Sequence, residues 1–109
     1  MIIVTMLQDD GNPVGFQILG HANHGAYGED LVCAAVSAIV QTAILGITDV
    51  LNLKAGISIE EGDTTCVLDR ETSGTDLEQA SIVFKTMEIG LRSVSDAYPK
   101  TLKFRSKEV

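Results

Sequence analysis

Between Leu31 and Asp49 the chain carries no Lys, Arg or Glu. No other feature restricts the fold as much, because a helix that is apolar nearly all round is seldom left in water. Val32, Val36, Ile39, Ala43, Ile47 and Val50 recur at helical spacing, which predicts a helix over Leu31–Leu51 with those residues turned to the core. The opposite side offers only Ala34, Ala38, Gln41 and Leu45. Either the rest of the chain covers both sides of this helix, or a second subunit covers one. A chain of 109 residues holds one core and little more. A single domain over 1–109 that pairs as a homodimer is therefore expected. Ser37, Gln41 and Thr42 interrupt the run, and on that ground no segment is expected to span a membrane.

The flanking segments alternate strand and turn signals. Residues 2–8, IIVTMLQ, are rich in β-branched side chains and read as a strand. DDGNP at 9–13 reads as a turn, and Val14–Leu19 returns as the partner strand of a hairpin. Residues 22–28, ANHGAYG, show no periodicity and read as a loop, with Asp30 as the N-cap of the long helix. The second half repeats this plan. Ala55–Glu60 and Thr64–Asp69 read as strands joined through Glu61-Gly62-Asp63. Thr75-Asp76-Leu77-Glu78 fits a capping box for a second helix. The core face of that helix is Ala80, Val83, Phe84, Met87, Leu91 and Val94. Pro99 disfavours a helical residue before it, so the helix ends near Tyr98. Thr101–Arg105 is a last strand, and SKEV a polar tail. The order ββα-ββα-β defines an α+β fold, a mostly antiparallel sheet with two packed helices.

Charge narrows the function. Lys and Arg number 8 against 15 Asp and Glu, a net charge of -7. Affinity for nucleic acid comes from cations on phosphates, so direct nucleic-acid binding is not expected. Lys103, Arg105 and Lys107 alternate along the last strand and read as a solvated edge. The opening MIIVTMLQ lacks the basic start of a signal peptide and soon reaches Asp9-Asp10. A cytoplasmic location is expected, with Cys33 and Cys66 as reduced thiols.

The reactive side chains gather in one stretch. Gly20–Ser37, GHANHGAYGEDLVCAAVS, holds both histidines and one of the two cysteines. Cys33 stands about three residues into the expected helix, where peptide dipoles and free N–H groups favour a thiolate. His21 ends a strand, and the loop between them can bring imidazole to sulfur. Such a pair is a minimal activated nucleophile, with free N–H groups able to hold an oxyanion. Two plainer readings stay open here: Cys33 as a small core side chain, and His21 as an ordinary strand-end residue. Asp30 can orient His21, but an N-cap role is simpler, and Ser37 lies one turn after Cys33 on the same side. Gly25 and Gly28 suit either turn geometry or a loop that orders on a ligand. His24 is given no role. Cys66 lies inside a strand in step with Leu68 and reads as core. A zinc site from His21, His24, Cys33 and Cys66 matches no standard spacing. Phosphate-loop, dinucleotide and HExxH patterns are missing, so no metal and no cofactor are expected.

Taken whole, the pattern GHAxxGxxGxDxVCAAVS resembles the ribosomal-processing cysteine proteases of bacteria. It stands here as Gly20-His21-Ala22, Gly25, Gly28, Asp30 and Val32-Cys33-Ala34-Ala35-Val36-Ser37. The resemblance extends over nearly the whole chain. It implies a Cys–His dyad protease with Cys33 as nucleophile and His21 as base. Gly20, Ala22, Gly25 and Gly28 would belong to a flexible substrate loop. The implied substrate is large-subunit ribosomal protein number 27, whose N-terminal extension is removed after an aromatic-containing segment, and the implied assembly is a homodimer. Two rival readings remain: a non-catalytic, ribosome-associated peptide-binding module that keeps Cys33 in its core, and another thiol enzyme, such as a redox or acyl-transfer protein.

Overall fold

A computed structural model describes residues 1–21 and 27–109, and of residues 27–30 the helical backbone alone. The elements are β1 (Ile2–Asp9), β2 (Asn12–Leu19), α1 (Tyr27–Leu45), a π-helical turn (Gly46–Val50), β3 (Ala55–Glu60), β4 (Asp63–Leu68), α2 (Gly74–Ala97) and β5 (Leu102–Glu108). The five strands lie in the order β3-β4-β2-β1-β5. All neighbours are antiparallel except β1 and β5, which run parallel. This is the expected mostly antiparallel sheet with two helices in ββα-ββα-β order.

Local chemistry explains the ends of the elements. Asp10 and Gly11 both take positive φ, 51° and 80°. They form the two-residue loop whose twist suits a hairpin. The expected turn is longer than the real one, because Asn12 and Pro13 already pair with Asp9 and Gln8. Pro13 is tolerated inside a strand because the register shifts between Leu7 and Gln8. Tyr98 closes α2 just before Pro99, as expected, but the capping box does not form: the helix starts at Gly74 after Ser73. The SKEV segment is not a tail. Ser106–Glu108 extend β5 along Met6–Gln8 of β1, so pairing with a central strand decides where β5 ends.

One face of the sheet carries Ile2, Val4 and Met6 of β1 opposite Ile18 and Phe16 of β2, with Cys66 and Leu68 of β4 beside them. These residues are buried with Val32, Val36, Val40, Ala43, Ile44 and Ile47 of α1 and Ala80, Phe84, Met87 and Leu91 of α2. Phe16 and Phe84 meet edge to face, with ring centroids 5.9 Å apart. At the far edge Arg92 of α2 lies 4.3 Å over the ring of Phe104 and pairs with Glu88. Lys103, Arg105 and Lys107 are exposed on β5, the sheet's edge strand.

Two expectations for the long helix need correction. Val40 and Ile44 belong to its core face, and Val50 does not, being 74% exposed. The π-turn from Gly46 to Val50 rotates the last residues off the α-helical stripe. Gly46 also sits where a Cβ would come within 3.2 Å of Val83 on α2. Further, the run Leu31–Val50 is, by length and composition, apolar enough to cross a membrane. Ser37, Gln41 and Thr42 are polar but uncharged, and so do not interrupt it. In this fold one side of the run instead packs into the core described above.

Candidate active site

The register of the sheet builds the site. β2 pairs with β4 as far as Leu19 opposite Asp63. The pairing continues one residue further, where the Gly20 N–H donates to the Gly62 carbonyl at 2.9 Å. This places His21 against the β3–β4 turn. Its carbonyl accepts from the Met1 nitrogen at 2.9 Å. Gly20 has φ +89°, and a Cβ there would come 2.5 Å from the Met1 carbonyl oxygen, so only glycine fits the approach to His21.

The other wall comes from α1. Val32 and Val36 point into the core, which leaves Cys33 half-buried at its flank and Ser37 exposed one turn on. His21, Cys33 and Ser37 line one cleft of about 270 Å³, together with Gln41 and the hairpin segment Ile59–Thr64. An adjoining hollow continues past Val40 and Gln41 along α1 and shares Ile18, Ile59 and Thr64 with the cleft. The site is therefore one end of a groove between α1 and the β3–β4 hairpin. Asp63 contributes to the border, but its carboxylate accepts from Gln17 and Thr65, each at 3.4 Å.

The helix start differs from the expectation. α1 begins at Tyr27, so Gly28 is helical rather than part of a loop, and Asp30 lies inside the helix rather than capping it. Cys33 is then nearly two turns in. With Tyr27 as the first helical residue, the free N–H groups of this helix end at Glu29, and the dipole effect fades beyond the first turn. The free N–H groups at the helix start are thus not those of Cys33 itself. Ala22, Gly25 and His24 lie outside the described residues, as do the side chains of Gly28 and Asp30.

Cys66 behaves as core. It has no exposed surface, and burial pushes its thiol up to about 11. It lies between Phe16 and Ile57 in the sheet and away from the cleft of Cys33. Since its folded value lies above the unfolded one, the native state holds this proton longer than the unfolded chain does. Stability from this group is complete below about pH 9 and is lost as pH rises towards 11. The loss is on the order of 2–3 kcal/mol. Denaturant midpoints of wild type and Cys66→Ala should converge over that interval; parallel curves would refute the assignment. Among the described residues, no group of three or more His, Cys, Asp or Glu could hold a metal ion.

The hairpin residues of the site were not legible as such. Ile59 and Gly62 carry no motif, and Gly62 is readable only as a turn residue; Gln41 of α1 carries none either. The contact between Gly62 and His21 is set by strand pairing between distant segments.

A thiol and an imidazole thus line one cleft of this fold. A family model described as "Cysteine protease Prp" matches residues 1–103, and the chain belongs to that family of cysteine proteases, which act on peptide substrates. The ribosomal processing cysteine protease Prp of Staphylococcus aureus is 25% identical over 108 residues, covering 98% of this chain and 100% of the relative. A crystal structure of the S. aureus protease with a substrate peptide superposes with a TM-score of 0.83 at 24% identity, covering 98% of this chain and 100% of that one. A Streptococcus mutans protein superposes equally well, with a TM-score of 0.83 at 21% identity over 100% of this chain and 96% of its own.

Proposed function

We propose that this chain, as a single domain over 1–109, is the endopeptidase that removes the N-terminal extension of large-subunit ribosomal protein number 27. Cys33 is its nucleophile and His21 its base. The observation that carries this reading is the shared cleft: His21, at the end of β2, and Cys33, on the flank of α1, line the same end of one groove. His21 accepts the thiol proton, and the sulfur attacks the scissile carbonyl carbon. The carbonyl re-forms as the C–N bond breaks, and His21 returns the proton to the leaving amine. Water then adds to the thioester, with His21 as base, and frees the new C-terminus and the thiol. The extension lies in the groove between α1 and the hairpin, where Ser37, Gln41 and Ile59 meet it. Ala22 and Gly25 contribute to substrate binding, and Asp30 supports the dyad.

The protein works in the cytoplasm without a metal or cofactor, and does not bind nucleic acid or membrane. A second copy covers the apolar groove of about 600 Å³ between α1 and α2, where Ile82 is 65% exposed and Val50 74% exposed. Light scattering should give twice the mass of one chain; a monomer at micromolar concentration would remove the homodimer. For the reaction, purified protein is incubated with the extended ribosomal protein of the same organism and the product masses are read. One defined N-terminal cut is expected. An uncut substrate would favour the non-catalytic peptide-binding module instead.

A further inference from the structure

We infer that the β3–β4 turn is the seat of the His21 imidazole, and that Gly62 is a positioning residue for the reaction. The role rests on His21 being the base, as proposed above. Gly62 takes φ +73° in the turn, and a Cβ built there would lie 2.7 Å from His21 Nε2, 3.3 Å from Cδ2 and 3.4 Å from Cε1. The Nε2 end of the ring thus rests on the bare face of a glycine. Any Cβ must push the ring back by more than half an ångström to reach ordinary contact. The Gly62 carbonyl also holds the Gly20 N–H, which ties the turn to the chain just before His21. The same glycine fixes the main chain before His21 and the space its ring occupies.

Turn geometry alone does not account for this contact. Gly11 closes the other hairpin with φ +80°, and a Cβ there meets nothing within 4 Å. Gly74, at φ +60°, is equally open. Both need glycine for backbone reasons only. At Gly62 the added atom meets an imidazole that lines the cleft with Cys33. Misplacing a reacting group by an ångström can cost on the order of 100-fold in rate.

Gly11→Ala serves as the control, because it imposes the same kind of backbone strain in a hairpin turn remote from the cleft. Gly62→Ala is expected to lower kcat roughly 10- to 100-fold with KM nearly unchanged. It should also slow alkylation of Cys33 by iodoacetamide and alter its pH profile. Gly11→Ala should lower Tm by a similar amount and leave both rates at wild-type values. Should Gly62→Ala fold poorly, Gly62→Asn adds the same Cβ in a residue that tolerates positive φ. Equal losses in the Gly62 and Gly11 variants, or no loss in either, would overturn the seat. If wild type leaves the ribosomal protein uncut while alkylation still separates the two variants, the substrate assignment falls and the seat stands. If His21→Ala leaves alkylation unchanged, His21 is not the base, and the role of Gly62 falls with it.

Discussion

Cys33→Ala is expected to abolish cleavage of the extended ribosomal protein, by on the order of 10⁴-fold or more, with little effect on the fold. The rate loss follows from the chemistry, since alanine has no atom to form the thioester. The mild structural effect follows from position. Cys33 is half-buried beside the core, whereas Val32 and Val36 on either side of it are fully packed. Removing one sulfur at such a flank costs about 1 kcal/mol or less. Cys66→Ala is the informative contrast, since that thiol is wholly enclosed and its loss leaves a cavity in the sheet's core. Product masses and thermal melts read the two effects separately. Cys33→Ala should melt near wild type and cut nothing, while Cys66→Ala should melt lower and still cut. Undiminished cutting by Cys33→Ala would refute the nucleophile assignment and revive the binding-module reading.

His21→Ala should lower kcat/KM by roughly 10²- to 10⁴-fold, the range for removing a positioned general base. The imidazole is exposed and held by its backbone and by Gly62, not by packing in the core. Stability should therefore change little. The distinguishing readout is the pH profile of Cys33 alkylation. If His21 accepts the thiol proton, that profile should change in the variant. An unchanged profile would assign His21 to structure only and would leave the thiol without its base.

Much of the architecture was readable from local pattern. The first hairpin follows from Asp10-Gly11 between two β-branched runs, and the second helix from apolar residues at helical spacing that ends before Pro99. Failures fall where a tertiary partner overrides a local preference. Ser106–Glu108 read as a polar tail because their side chains are hydrophilic, yet parallel pairing with β1 needs only their backbone. Asp30 and Thr75 carry N-cap chemistry but lie inside helices that begin earlier. Val50 keeps the helical period on paper and loses it to the π-turn.

The sequence by itself determined the elements and their order, and it singled out the stretch from Gly20 to Ser37, because turns, periodicity and rare reactive side chains are local properties. It also carried the family resemblance, which rests on residues close together in that stretch. Only the tertiary structure decided which wall faces Cys33. The extension of β2–β4 pairing from Leu19 and Asp63 to Gly20 and Gly62 brings the second hairpin under His21. Strand register between segments some forty residues apart leaves no mark in the residues on either side, so Gly62 reads as a turn glycine until the sheet is assembled.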